Sequence, residues 1–341
     1  MLNRLQSMSL PSLQLLAAVI LGASGCASDT EGEILRDAPN QAGEPAAQLS
    51  PAESDERSIC TTEQTKPTSV PFTSIPGYQR MTKAPSTGPL EPTLEAHPGL
   101  PEWTVYRPKE LGDRKHPIVI WGNGGCLKNG TLYGQFLLEL ASHGFIAVSD
   151  GKPLPANADP AAGGIRGFGG GGGAPMIQTL DWLVAENARP CSPLYGKLDL
   201  EKVAVSGQSC GGMMSLSAAG DKRITTALIN NSGLFQRDAK VYAALHTPIA
   251  YLIGGAGDLA YANAEADYAA ITNVPVFNAN NPAGHAATWD QPNGGEFGRV
   301  GLGWLKWQLM GDETAAKMFK GADCELCKPG SKWTVKKKKI D

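Results

Sequence analysis

Residues 202–220 read KVAVSGQSCGGMMSLSAAG. A short apolar run, Val203 to Val205, reaches Gly207; Ser209 then stands between Gly207 and Gly211; a segment of helical character follows. The pattern is G-x-S-x-G, and its spacing has a mechanical reason. A serine on a sharp, strained strand-to-helix turn has its hydroxyl lifted above the sheet, and larger side chains at 207 or 211 would strike the neighbouring strand and helix. The helix N-terminus behind it supplies free N–H groups and a field that favours negative charge. The bare pattern arises often by chance, and the competing reading of Ser209 is a plain turn residue. Between a buried strand and a helix the pattern is specific, and it reads as a nucleophile.

The flanking sequence repeats the alternation. PIVIWG (117–122) and FIAVSD (145–150) are continuous apolar runs of the kind buried on both faces of a sheet. EWTVYRP (102–108) is a short strand stopped by Pro108, and TALINN (226–231), IAYLIGG (249–255) and VPVFNAN (274–280) are further strands. Between them, TLYGQFLLELASHG, APMIQTLDWLVAEN, DAKVYAAL and EADYAAI carry helical spacing, and a helix around VGLGWLKWQLM closes the domain. Such alternation predicts a mostly parallel sheet with helices on both faces, and ligands at the carboxyl ends of the strands. There is no internal repeat, so one catalytic domain spans 67–341.

A serine hydroxyl needs a base, and the base an orienting carboxylate, in the chain order serine, acid, histidine. Asp258 follows YLIGGAG at the end of the next-to-last strand, and His285 lies in NNPAGHAATW after the last. Asp267 and Asp290 are outside candidates for the acid. His97, His116, His143 and His246 read as surface or capping residues. The oxyanion donors should be the backbone N–H of Cys210 and one from the loop after PIVIWG, with Asn123 chosen and Gly124 its alternative. Gly124 and Trp289 are also candidate substrate contacts; Trp289 would form an apolar wall, although a core position is as common for a large aromatic. The Cys210 thiol is either free packing or half of a bridge, for instance to Cys126.

The order of VIWGNGGC, ASHGFIAVSD, VAVSGQSCGGM, GGAGDLAY and AGHAATW resembles the α/β-hydrolase superfamily over roughly residues 100–320. Within it the chain is similar to the dienelactone hydrolase-like and polyester hydrolase (cutinase-like) branch. The resemblance implies an α/β-hydrolase fold without a large lid and a Ser–His–Asp carboxylic ester hydrolase that uses no metal or organic cofactor. The chain departs from dienelactone hydrolases proper in having serine rather than cysteine at 209. It departs from polyester hydrolases in carrying Asn123 where an aromatic is usual. An acyltransferase or serine peptidase on the same triad, and a non-catalytic binding lipoprotein, are the competing readings.

The N-terminus reads as a targeting segment. MLNR carries a positive charge, LQLLAAVILGA is an apolar stretch too short to span a membrane comfortably, and ASGCAS follows. Residues 1–25 resemble a bacterial lipoprotein signal, with Cys26 as the lipidated residue; ordinary cleavage to a secreted protein is the alternative. Ala27 in place of Asp favours the outer membrane. Residues 26–66 are rich in Asp, Glu, Ala, Pro and Ser with sparse apolar residues, and read as a disordered tether. The expected partners are therefore a small-molecule or polymeric ester and a membrane reached through the Cys26 anchor. With 341 residues, 42% of them hydrophobic, and a net charge of −3, nucleic acid is not among them. Export permits disulfides. Cys324 and Cys327 in CELC read as a local bridge, since no second ligand pair stands nearby to complete a zinc site; the pairing of Cys60, Cys126, Cys191 and Cys210 is left open. The glycine-rich loop 163–173 lacks the lysine and hydroxyl of a phosphate loop and is read equally as a mobile cover or a slack turn. The terminal KKKK reads as a solvated end.

Overall fold

The computed structural model describes residues 66–78, 86–167 and 172–341. The expected signal peptide (1–25), Cys26, Cys60 and all but the last residue of the expected tether (26–66) lie outside the described residues.

The strands are β1 (Thr68–Ser69), β2 (Pro92–His97), β3 (Leu100–Pro108), β4 (His116–Gly122), β5 (Ile146–Asp150), β6 (Leu198–Gln208), β7 (Thr226–Asn230), β8 (Ile249–Ile253), β9 (Val276–Asn280) and β10 (Thr334–Lys338). They form one sheet in the order β1-β2-β3-β5-β4-β6-β7-β8-β9-β10. The run from β5 through β9 is parallel, and antiparallel strands flank it on both sides. This is the expected α/β-hydrolase architecture. All seven strands read from apolar runs are present. Three were not read: β1, β2 and β10.

The central strands are buried on both faces, so alternate residues feed two separate cores. Val119 and Trp121 of β4 enter one; Ile118 and Ile120 enter the other. The first is covered by α1 (Gly134–Ser142) and α6 (Gly295–Met310), through Phe136, Phe297 and Trp304. The second is covered by α2 (Ala174–Ala188), α3 (Cys210–Ala218) and α5 (Tyr261–Ala270), through Met176, Leu183, Met214 and Ala264. Two short helices, α4 (Ala239–Ala244) and α7 (Glu313–Ala316), complete the set.

The lysine-rich end is a strand rather than a solvated tail. β10 pairs antiparallel with β9 from Thr334↔Asn280 to Lys338↔Val276. The Lys336 ammonium meets Glu265 at 2.5 Å, and that of Lys338 lies against the carbonyls of Tyr268, Ala269 and Ile271, where α5 ends. A cation there meets unpaired carbonyls and the negative end of the helix dipole.

Two histidines read as surface or capping residues are buried. His116 is fully enclosed, with its ring nitrogens on the carbonyls of Gly144 (2.7 Å) and Leu111 (2.9 Å). His97 sits in β2 beside Trp182. Burial disfavours its charged form and holds its pKa below the ordinary value, although Glu186 opposes this. His143 caps the end of α1.

Candidate active site

Ser209 occupies the turn between β6 and α3 with φ 53° and ψ −116°. A left-handed φ in a non-glycine residue costs roughly 1–3 kcal/mol and persists only where the surroundings enforce it. Here they do. A Cβ on Gly211 would lie 1.9 Å from the Gly122 carbonyl oxygen, and one on Gly207 would lie 2.5 Å from the Gly211 backbone. The end of β4, the end of β6 and the start of α3 therefore touch backbone to backbone, which is why 207 and 211 are glycine.

His285, in the loop after β9, reaches Ser209 from the far side. Its Nδ1–H donates to Asp258 Oδ1 at 2.6 Å, because a carboxylate only accepts. That leaves Nε2 to accept the Ser209 hydroxyl proton at 2.9 Å. Asp258, after β8, is buried. Burial raises its pKa, but hydrogen bonds from His285, the Ala260 N–H, Asn231 Nδ2 and the Gly254 N–H outweigh that and hold the carboxyl below its ordinary value. Asp267 is not the acid partner: it is bound by Tyr242, Tyr251 and the Leu234 N–H.

The loop after β4 faces the turn. Asn123 turns its side chain inward, its Nδ2 lying 2.9 Å from the Leu127 and Asn129 carbonyls and 2.5 Å from that of Asp150. Its own carbonyl accepts the Gly211 N–H at 3.0 Å. Among the described residues, no acceptor engages the backbone N–H of Asn123 or of Cys210. Gly124 packs beside the Tyr133 hydroxyl, which a Cβ there would approach to 2.8 Å. A Cβ on Gly124 would lie 2.0 Å from Gln208 Oε1; the glycine is there for packing.

Trp289 is not an apolar wall of the site. It is 5% exposed, ringed by Trp121, Tyr133, Phe136 and Phe297. Its indole N–H donates to Asn231 Oδ1 at 3.1 Å, and Asn231 Nδ2 in turn donates to Asp258 Oδ2 at 2.8 Å. Trp289 thus stands two hydrogen bonds behind the triad.

Three residues of this site escaped the sequence reading. Asn231 holds the carboxylate from a left-handed φ of 46°. Gln208 accepts from the Tyr133 hydroxyl (2.8 Å) and donates to the His285 carbonyl (2.9 Å), spanning from the β4 loop to the histidine loop. Ser232 Oγ donates to the Ser209 carbonyl at 2.6 Å. The available signal was the polar run Asn230-Asn231-Ser232 at a strand's carboxyl end, since asparagine tolerates the left-handed region.

Two disulfides are present among the described residues, Cys324–Cys327 as expected and Cys126–Cys210; Cys191 is disulfide-bonded as well. The near arm of the glycine-rich loop is held rather than slack. Ile165 bridges to Leu127, the Lys128 N–H donates to the Gly164 carbonyl and the Arg166 N–H to that of Cys126, and Arg166 Nε pairs with buried Asp150 at 2.7 Å. Residues 168–171 of that loop lie outside the described residues. No group of three or more His, Cys, Asp or Glu among the described residues is arranged to hold a metal ion.

No curated protein matches the chain. A family model described as PET hydrolase-like matches residues 99–334, which takes in the whole of this site and most of the sheet. The chain therefore belongs to the PET hydrolase-like family, a family of α/β-hydrolase carboxylic ester hydrolases.

Proposed function

We propose that this chain is an exported serine carboxylesterase that acts through an acyl-enzyme on Ser209. The observation that carries the reading is the unbroken hydrogen-bonded line from Ser209 Oγ through His285 to Asp258. Ser209 Oγ attacks the acyl carbon as His285 Nε2 takes its proton. Asp258 stabilises the resulting imidazolium, and the N–H groups of Cys210 and Asn123 receive the negative charge on the acyl oxygen. His285 then gives its proton to the departing alkoxide, leaving the acyl group on Ser209. Water, deprotonated by the same nitrogen, attacks that ester; the bond to Ser209 Oγ breaks as His285 returns the proton to it, and the acid leaves. A fluorophosphonate probe should label Ser209, and Ser209→Ala should lose both labelling and hydrolysis of short p-nitrophenyl esters. Wild-type hydrolysis in Ser209→Ala would refute the reading. Turnover of peptide amides or alcohol acceptors in preference to water would favour the peptidase or acyltransferase alternative.

The substrate class is an apolar ester that extends beyond the site, such as a polyester. Ile165, Phe235 and Leu259 are exposed at 57%, 50% and 63%, and all three stand in loops after the carboxyl ends of parallel strands, on the edge that carries Ser209. Large apolar side chains exposed on the edge that carries the nucleophile suit contact with an apolar substrate. Release of soluble products from a polyester film, reduced in Ile165→Ser/Leu259→Ser while p-nitrophenyl acetate turnover holds, tests this. The location is the cell envelope, through lipid on Cys26 and a tether ending near residue 66. An inhibitor of lipoprotein signal cleavage should then accumulate the precursor, and Cys26→Ala should release the protein.

A further inference from the structure

We propose that the Cys126–Cys210 disulfide positions the oxyanion hole, so that hydrolysis by this chain requires the oxidised pair. The inference rests on the serine esterase reading above. Cys210 immediately follows Ser209 and opens α3; Cys126 closes the turn Gly124–Cys126 in the loop after β4. The bond therefore joins, across 84 residues of sequence and with the Cα atoms 5.2 Å apart, the two segments that carry the proposed donors. Neither segment is held in this geometry by local preference alone. Gly125 has φ 64° and Cys126 φ 56°, the latter a left-handed conformation that a side chain disfavours. Ser209, one residue from the other end of the bond, is in the same position. Each segment is braced from its own side, the Asn123 side chain on the carbonyls of Leu127, Asn129 and Asp150 and the Ser209 backbone by Asn230 and Ser232, whereas the hydrogen bond that joins the two segments directly is the Gly211 N–H on the Asn123 carbonyl.

Opening the bond needs an external dithiol. It delivers two electrons and two protons, becomes a cyclic disulfide itself, and leaves two neutral thiols. Unbonded sulfur atoms cannot stay at bonding distance, and the pair must separate by roughly 1.5 Å. Both cysteines are buried, so the movement is passed to their backbones. A displacement of about 1 Å at a reacting group, or loss of one oxyanion donor, costs on the order of a hundredfold in rate.

The test compares two pairs of substitutions in the mature chain. Cys126→Ala/Cys210→Ala should lower kcat about a hundredfold with little change in KM. A boronic acid that mimics the tetrahedral intermediate should bind it more weakly by a similar factor, while a carboxylate product binds as before. A bond that serves stability alone would lower Tm and leave the boronic acid affinity and kcat intact. Cys324→Ala/Cys327→Ala should keep wild-type kcat and its sensitivity to dithiol. If the first variant does not fold, stepwise reduction and reoxidation of the wild type decides, with peptide mapping of each bridge. Activity that falls and returns with the Cys126–Cys210 bond supports the proposal; full activity with that bond open overturns it. Loss of function in Ser209→Ala beside an active, folded cysteine variant would reject this inference alone, whereas an active Ser209→Ala would reject the esterase reading beneath it.

Discussion

Replacing Tyr133 by phenylalanine deletes one oxygen and leaves the ring where it packs against Trp121 and Trp289. That oxygen donates to Gln208 Oε1 at 2.8 Å, and Gln208 carries the connection on to the His285 carbonyl. Burial pushes the Tyr133 phenol well above its ordinary pKa, so it remains a donor throughout the working pH range. Its loss strands the buried Gln208 Oε1, which costs about 1–3 kcal/mol. With some adjustment of the loop, the net cost is about 2 kcal/mol. In a domain of this size that corresponds to a fall in Tm of roughly 4–8 °C. Activity should suffer separately: kcat should drop about tenfold with KM unchanged, because the chain of bonds ends on the loop that carries the base. Thermal unfolding and steady-state hydrolysis of a p-nitrophenyl ester, both repeated in Gln208→Met and in the double variant, form a cycle. Tyr133 and Gln208 are in contact, so their costs should be non-additive by about 0.5–3 kcal/mol. A Tm within a degree or two of wild type, or strictly additive effects, would refute the network.

Asp258→Asn should cut kcat by about four orders of magnitude, measured with the same ester, because an amide no longer holds His285 with its proton on Nδ1. Gly211→Ala places a Cβ 1.9 Å from the Gly122 carbonyl, a clash between backbones, and should destabilise the fold by more than about 4 kcal/mol in denaturant titration. Burial pushes the Asp267 carboxyl up to about 6 from 3.8, against the hydrogen bonds it accepts. The folded state thus holds this proton more tightly than the unfolded chain. Its contribution to stability is complete below pH 3.8 and is lost as pH rises through about 6. Relative to Asp267→Asn, the wild type should lose about 3 kcal/mol across that window; a stability difference that is flat with pH would contradict it.

The placement of the candidate serine, acid and histidine was legible because it depends on chain order and on where strands end, both of which apolar runs disclose. Ser209, Asp258 and His285 each follow such a run, and the structure brings them within hydrogen-bonding distance. Asn231 and Gln208 were not legible because their importance lies in which atoms they face across the fold, and nothing local distinguishes them from turn polar residues. Trp289 illustrates the reverse error. Proximity to His285 in sequence suggested a wall, whereas the aromatic cluster behind the sheet had the greater claim on so large a side chain. β10 escaped for a different reason. Thr-Val-Lys-Lys-Lys has no apolar alternation, and its pairing is specified by the backbone of β9 and by acceptors for its ammonium groups.

That last strand has a consequence for how these molecules meet one another. A sheet ending at β9 would offer a row of unpaired N–H and C=O groups to any extended chain that came alongside, the route by which sheets join into fibres. Here the outermost ribbon is lined with cations, several already engaged with the body of the protein. A second copy approaching edge to edge meets its own charge. Many copies can then crowd onto one surface without their sheets annealing.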